Sequence, residues 1–277
     1  MQATKRYKPI TRSKLRLWLG KLYYRCRRRF KWWRMREQFA SIKQLDKLPY
    51  LHAEHHTPLY RRLHNVDMSI QEAKVHNLQL AIQHLNGVVI QPEEVLSYWR
   101  RIGKPTRRKG YQEGMILFYG SMQLGVGGGL CQLSNLIYWI TLHTPLKVIE
   151  RYRHSYDVFP DASRSQPFGS GATCAYNYLD LMIMNPTNEP FQLVLHMDDV
   201  NLYGQWRSTS GPIHQYKIME RNHRITLEAW GKYMRHNELI QMTYSMDGEL
   251  LQEEQVAENH ALMMYEPMLQ GEKESQN

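Results

Sequence analysis

From Gly114 to Leu142 the chain runs for 29 residues without a Lys, Arg, His, Asp or Glu. No other feature restricts the fold so sharply, because a stretch of that kind has to be covered by protein or by lipid. It is long enough to cross a bilayer, but Gly120, Gly125 and Gly127–Gly129 interrupt it, together with Gln123, Gln132, Ser134 and Asn135. A helix broken at those points would leave backbone groups unsatisfied in hydrocarbon. The stretch therefore reads as a buried strand–loop–helix unit. Leu133, Leu136, Ile137 and Ile140 share one helical face, and Pro145 ends the run. The three consecutive glycines before it cost backbone entropy and imply a close approach or unusual dihedrals.

The rest of the composition is that of a globular chain: 42% of residues are apolar and 22% charged, which excludes wholesale disorder and fibrous repeats. The net charge of +10 is concentrated at one end. Residues 1–40 carry 14 Lys and Arg against the single acid Glu37, which leaves 22 basic and 25 acidic residues and a net of −3 elsewhere. A nearly neutral body argues against nucleic acid as a partner, despite the basic total. The basic arm lacks the uninterrupted apolar core of a secretory signal. Residues 11–38 read instead as an amphipathic helix, with Leu15, Leu19, Leu22, Cys26, Phe30 and Trp33 at steps of three or four. Trp18, Tyr23, Tyr24 and Trp32 widen the stripe. Two expectations follow. One is a helix lying on an anionic membrane surface; the other is a helix packed on the body with a solvated basic face.

Cys26, Cys131 and Cys174 form neither a complete disulfide framework nor a zinc pattern. The corresponding expectation is a reducing compartment: a cytoplasmic protein, peripheral at the inner face of the membrane if the arm binds lipid. No cofactor and no metal are expected. His52, His55, His56 and His64 lack accompanying acidic ligands and read as exposed loop histidines.

Ser69 with Glu72 is a capping-box signature for a helix through Ile70, Ala73, Leu78, Ile82 and Leu85, stopped by Asn86-Gly87. Val88–Ile90 reads as a strand, Pro92 as a break and Val95–Trp99 as an extended piece. Tyr98, Trp99 and Tyr111 read as core aromatics in preference to pocket walls. After Asp180, Leu181–Met184, Phe191–Met197, Leu202–Trp206, Ile225–Ala229, Leu239–Tyr244 and Leu250–Val256 are strand-like. Asn185-Pro186, Asp198-Asp199 and Asp247-Gly248 mark turns between them. The carboxyl-terminal third is thus expected to be an antiparallel sheet or small sandwich, and the last dozen residues disordered. The fold class is α+β: a cysteine-bearing helix on a mixed or antiparallel sheet, a β-rich carboxyl-terminal part and a basic amino-terminal helix. The segments are a basic arm at 1–45, a main domain at 46–210, a β-rich extension at 211–265 and a tail at 266–277.

Cys131 falls at the predicted helix start, where free N–H groups and the positive dipole end lower a thiol pKa. The same N–H groups, around Gly129–Gln132, suit an oxyanion, with the Gln132 side chain as an extra donor. His154 follows after the helix and the strand-like Val148–Arg151, in the order that returns it to the helix start. Asp157, Asp161 and Asp180 are the candidate orienting acids. Thiol hydrolases and transglutaminase-like enzymes resemble this order. The plain alternative is a buried cysteine beside a glycine packing device.

Three stretches, Leu85–Glu93, Gly127–Asn135 and Glu150-Arg151-Tyr152-Arg153-His154-Ser155, resemble the VanW family, as do Gly171-Ala172-Thr173, Asp180-Leu181 and Asn185-Pro186-Thr187. The likeness covers roughly residues 65–206. It implies glycopeptide resistance or cell-wall metabolism, with a peptidoglycan precursor peptide as the partner. Cys131, His154, and Asp180 or Asp157 would be catalytic in acyl transfer or amide hydrolysis. Gly127, Gly128, Gly129, Gln132, Ser134 and Asn135 would bind substrate. The alternative is a non-catalytic module binding a precursor or a partner protein at the membrane. Many members of the family carry an aspartate where this chain has Gly171, so the resemblance leaves the third member of a triad unassigned.

Overall fold

A computed structural model describes residues 13–60, 68–118, 120–153, 155–158 and 166–266. His64, His154, Asp161 and the tail from 267 onward lie outside the described residues. The main chain opens with α1 (Lys14–Arg34), β1 (Tyr50–Pro58), α2 (Met68–Leu85), β2 (Val88–Ile90), β3 (Val95–Ser97) and α3 (Tyr98–Ile102). The hairpin β4 (Glu113–Phe118) and β5 (Ser121–Val126) precedes α4 (Cys131–Thr141). Then come β6 (Lys147–Glu150), β7 (Tyr156–Asp157), β8 (Met182–Met184), β9 (Phe191–Met197), β10 (Asn201–Ser208), β11 (Gln215–Leu227), β12 (Tyr233–Tyr244) and β13 (Leu250–Met263).

The architecture is α+β, with four small sheets among the described residues. Antiparallel β1-β10-β9-β2 supports α4, and β3-β8-β6 lies beside it. In β10, Leu202, Gly204, Trp206 and Ser208 alternate inward. Gly204 leaves room for Leu136 and Ile140 of α4, and Trp206 Nε1 donates to Thr141 Oγ1 at 3.0 Å. A continuous core of Leu78, Leu85, Ile90, Leu133, Leu136, Ile137, Phe191, Leu193 and Trp206 joins α2, α4 and the sheet. Burial of these side chains contributes about 1.5–3 kcal/mol each against the entropy of ordering them.

Several local expectations need correction. The histidines His52, His55 and His56 stand on strand β1, not in a loop, because β1 pairs with β10 through its full length. Helix α2 begins at Met68, so Ser69 sits inside the first turn and does not precede it as a cap. Val95–Trp99 is not extended throughout. Ser97 Oγ accepts from Arg100 N at 3.2 Å and starts α3 at Tyr98. The strands after Asp180 do not form one sheet: β8, β9 and β10 pair with the amino-terminal strands, and only β11–β13 make a separate antiparallel sheet. Two-residue β7 joins that sheet in parallel through Leu262 and Met263. Gly114–Leu142 is a strand–loop–helix unit, but its hairpin is not buried. Ile116, Met122 and Leu124 are exposed, whereas α4 is the buried half. Tyr98, Trp99 and Tyr111 are core residues.

Candidate functional site

The triple glycine is a backbone crossing. Gly127 and Gly129 have φ of +78° and +88°, and a Cβ on Gly128 would overlap the Gly114 carbonyl of β4. Their N–H groups are used internally: Gly127 donates to Gln112 O, Gly128 to Gly125 O and Gly129 to Met115 O, at 2.9–3.0 Å. Asn77 of α2, fully buried, completes the crossing. Its Nδ2 donates to Gln112 O at 3.1 Å and Gly128 O at 3.0 Å, and its Oδ1 accepts from Gln112 N at 2.9 Å. From the other side Tyr98 Oη donates to Leu130 O at 2.9 Å. The amino end of α4 is therefore held in place by residues from α2, α3 and the hairpin.

Cys131 is the first residue of α4. Its S–H points at Cys174 O, 3.8 Å away. The residue keeps some surface, but its surroundings are dense and burial pushes the thiol above the ordinary cysteine value. The direction is opposite to the expected lowering, and its leading cause is the loss of hydration on burial. Cys174 is raised further still, by burial and then by neighbouring Cys131 and Asp180. The expected oxyanion donors also need revision. The N–H groups of Gly129 and Gln132 are spent on Met115 O and Gly129 O, and the Gln132 amide donates to Thr57 Oγ1 at 3.0 Å and Pro58 O at 2.9 Å. Among the described residues, the N–H groups of Leu130 and Cys131 have no protein acceptor, as the first turn of a helix allows.

Segment 171–174 lies along this helix end. Asn135 Oδ1 accepts from Ala172 N at 2.8 Å, and Ser134 Oγ donates to Ala172 O at 2.7 Å. A Cβ at Gly171 would stand 2.8 Å from Asn135 Oδ1, so an aspartate here would compete with Asn135 for space. On its other side the segment meets the residues that follow β6. Thr173 N donates to Tyr152 O at 2.7 Å, and Arg151 Nε donates to Gly171 O at 2.9 Å. Arg151 also binds Gly169 O and Asn259 Oδ1, and it stacks over Tyr138 of α4 with 4.7 Å to the ring centroid. Arg151 and Tyr152 thus reach α4 both through segment 171–174 and, for Arg151, directly.

The two described acids have other partners. Asp180 is fully buried: Oδ2 accepts from Ser97 Oγ at 2.6 Å, and Oδ1 accepts from Trp99 N and Leu181 N at 3.0 Å. Arg28 of α1 lies 3.9 Å away. Burial raises its carboxyl to about 6, against the pull of these hydrogen bonds and of Arg28. Asp157 lies in the carboxyl-terminal sheet, where Tyr265 Oη donates to it at 2.9 Å and Arg235 is at 3.6 Å. Among the described residues no group of three or more His, Cys, Asp or Glu side chains is placed to hold a metal.

Sequence reasoning missed Asn77, Arg151 and Cys174. Arg151 stands inside the quoted Glu-Arg-x-x-His-Ser segment, so its position was visible although its role was not. Asn77 and Cys174 give no local signal.

These motifs sit where a known family has its own. The family described as VanW like protein matches residues 73–207, from α2 through β10. The chain is 36% identical over 186 residues to vancomycin B-type resistance protein VanW of Enterococcus faecalis, covering 67% of this chain and 68% of that protein. It is 30% identical over 125 residues to uncharacterized protein YoaR of Bacillus subtilis, covering 44% of this chain and 39% of that protein. No solved structure matches. The chain belongs to the VanW family.

Proposed function

We propose that the protein serves glycopeptide (vancomycin) resistance or cell-wall metabolism by binding a peptide of a peptidoglycan precursor at the amino end of α4. Similarity to the Enterococcus faecalis VanW protein supports the process. The observation that carries the binding role is the amino end of α4, where the N–H groups of Leu130 and Cys131 have no acceptor among the described residues. The Cys131 thiol there directs its proton at Cys174 O, and burial pushes it above the ordinary cysteine value. Beside it the N–H groups of Leu130 and Cys131, at the positive end of an 11-residue helix, are suited to a peptide carboxylate. The exposed apolar hairpin side chains Ile116, Met122 and Leu124 come from the hairpin that leads into this turn.

Thiol acyl transfer through Cys131 and His154 is the second reading, favoured by the placement of Cys131 at the first position of α4. Calorimetric titration of the full chain with a synthetic stem peptide separates the two. The binding reading expects affinity for the free-carboxylate peptide, loss of it on carboxy-terminal amidation, and retention in Cys131→Ser. Turnover of the peptide that Cys131→Ser abolishes would establish the enzymatic reading instead.

A further inference from the structure

Helix α1 meets the body through a mixed face. Arg28, only 6% exposed, donates to Glu150 of β6 through both terminal nitrogens and to Tyr178 O at 3.2 Å. Lys31 Nζ adds a 2.6 Å bond to the same carboxylate. Trp32 and Met35 on that side pack against Phe39, Val95 and Met182. At about 100° per residue, the stripe of Leu15, Leu19, Leu22, Cys26, Phe30 and Trp33 falls on the opposite side. It is exposed: Leu15 at 67%, Phe30 at 61% and Trp33 at 63%, with Trp18 at 61% beside them. The helix is thus packed on the body through Arg28, Lys31 and Trp32, and Lys14, Arg16, Lys21, Arg25, Arg27, Arg29 and Arg34 stay exposed, as expected of a packed helix with a solvated basic face. What that expectation leaves without a partner is the outward apolar stripe, from which Trp32 is absent because it turns to the body.

We infer that α1 is a membrane-surface anchor: its outward stripe inserts into the interfacial zone of an anionic bilayer, with the Arg28–Glu150 contact fixing the orientation of the body above it. The charge pattern selects this occupant. Helix α1 contains nine Lys and Arg and no acid. Arg16 and Arg34 flank the stripe on one side, Arg25 and Arg29 on the other. A second copy docked stripe to stripe would bring these like charges together, whereas anionic headgroups neutralise them. Trp18, Trp33 and Tyr23 are the residue types that favour the boundary between headgroups and acyl chains. Among the described residues no helix is long and apolar enough to cross a membrane, so α1 lies on the surface and does not span it. The inference is independent of the role proposed for α4.

The test is flotation of the full chain with phosphatidylcholine vesicles, with and without phosphatidylglycerol, followed also by tryptophan emission. Binding is expected only with phosphatidylglycerol, with a blue shift and with loss at high salt. Leu19→Glu combined with Phe30→Glu should weaken it by about tenfold or more, and Arg16→Glu with Arg34→Glu should weaken it too. Both pairs are exposed, so an unchanged unfolding midpoint serves as the folding control. Failure of the full chain to float, or equal binding by the Leu19/Phe30 variant, would overturn the inference. So would stripe-dependent self-association, or binding of a short RNA duplex, in the absence of vesicle binding.

Discussion

Asp180 shows how one buried residue can carry several duties. It holds Ser97 and the start of α3, and it faces Arg28. Its carboxyl, raised to about 6 from 3.8, gives stability a definite pH dependence. Between those values the folded chain keeps a proton that the unfolded chain releases, so this contribution is full below 3.8 and lost as pH rises through about 6. The full effect is on the order of 3 kcal/mol. Glu150 acts in the other direction: burial opposes its charge, but Arg28 and Lys31 outweigh that and hold it below the usual carboxylate range. Its stabilisation therefore grows as pH rises out of strong acid. Urea unfolding at pH values from about 4 to 6.5 should show falling stability in the native chain and a flatter profile in Asp180→Asn. An unchanged profile in the variant would contradict a buried, proton-retaining Asp180.

At the scale of elements, the pair formed by α1 and β6 rests on Glu150. Glu150→Ala would leave Arg28 buried with only Asp180, at 3.9 Å, to balance it. Losing one partner of a buried pair costs about 3–5 kcal/mol, and the nearby Asp180 places the expected value toward the lower end. The measurable outcome is faster tryptic cleavage and faster amide exchange within α1, with α4 unaffected. Equal protection of α1 in both proteins would show that the contact does not hold the helix. These elements also mark what the sequence made legible. Helix α4, the end of α2 at Asn86-Gly87, and strands β2 and β9 follow from local period and turn residues, and the structure has them there. Sheet partners were not legible. That β8 lies between β3 and β6, or that β7 runs parallel to β13, depends on pairings far apart in sequence that leave no local period. The Gln132 amide illustrates the same limit within the site. Its spacing after the glycines suggested a free donor, but strand β1, more than seventy residues earlier, takes both of its bonds.

On the scale of the whole molecule, the family region does not stand alone. Asn259 of β13 accepts from Arg151 and donates to Asn237 Oδ1 at 2.9 Å. Asn237 Nδ2 donates to Phe168 O at 2.6 Å, and Gln241 Nε2 to Leu142 O at 2.8 Å. The carboxyl-terminal sheet thus supports the chain from Phe168 to Cys174 that covers the end of α4, although it lies beyond the matched region. Cys131 is the chemical endpoint of this arrangement, and its protonation state separates recognition from catalysis. The most direct measurement is the pH dependence of Cys131 alkylation by iodoacetamide in the full chain, read by peptide mass spectrometry alongside Cys26. The expected result is slow labelling at neutral pH, a midpoint above that of free cysteine, and an identical profile in His154→Ala. A rate already at its plateau at neutral pH, falling when His154 is replaced, would mean an activated thiolate and would contradict the binding account.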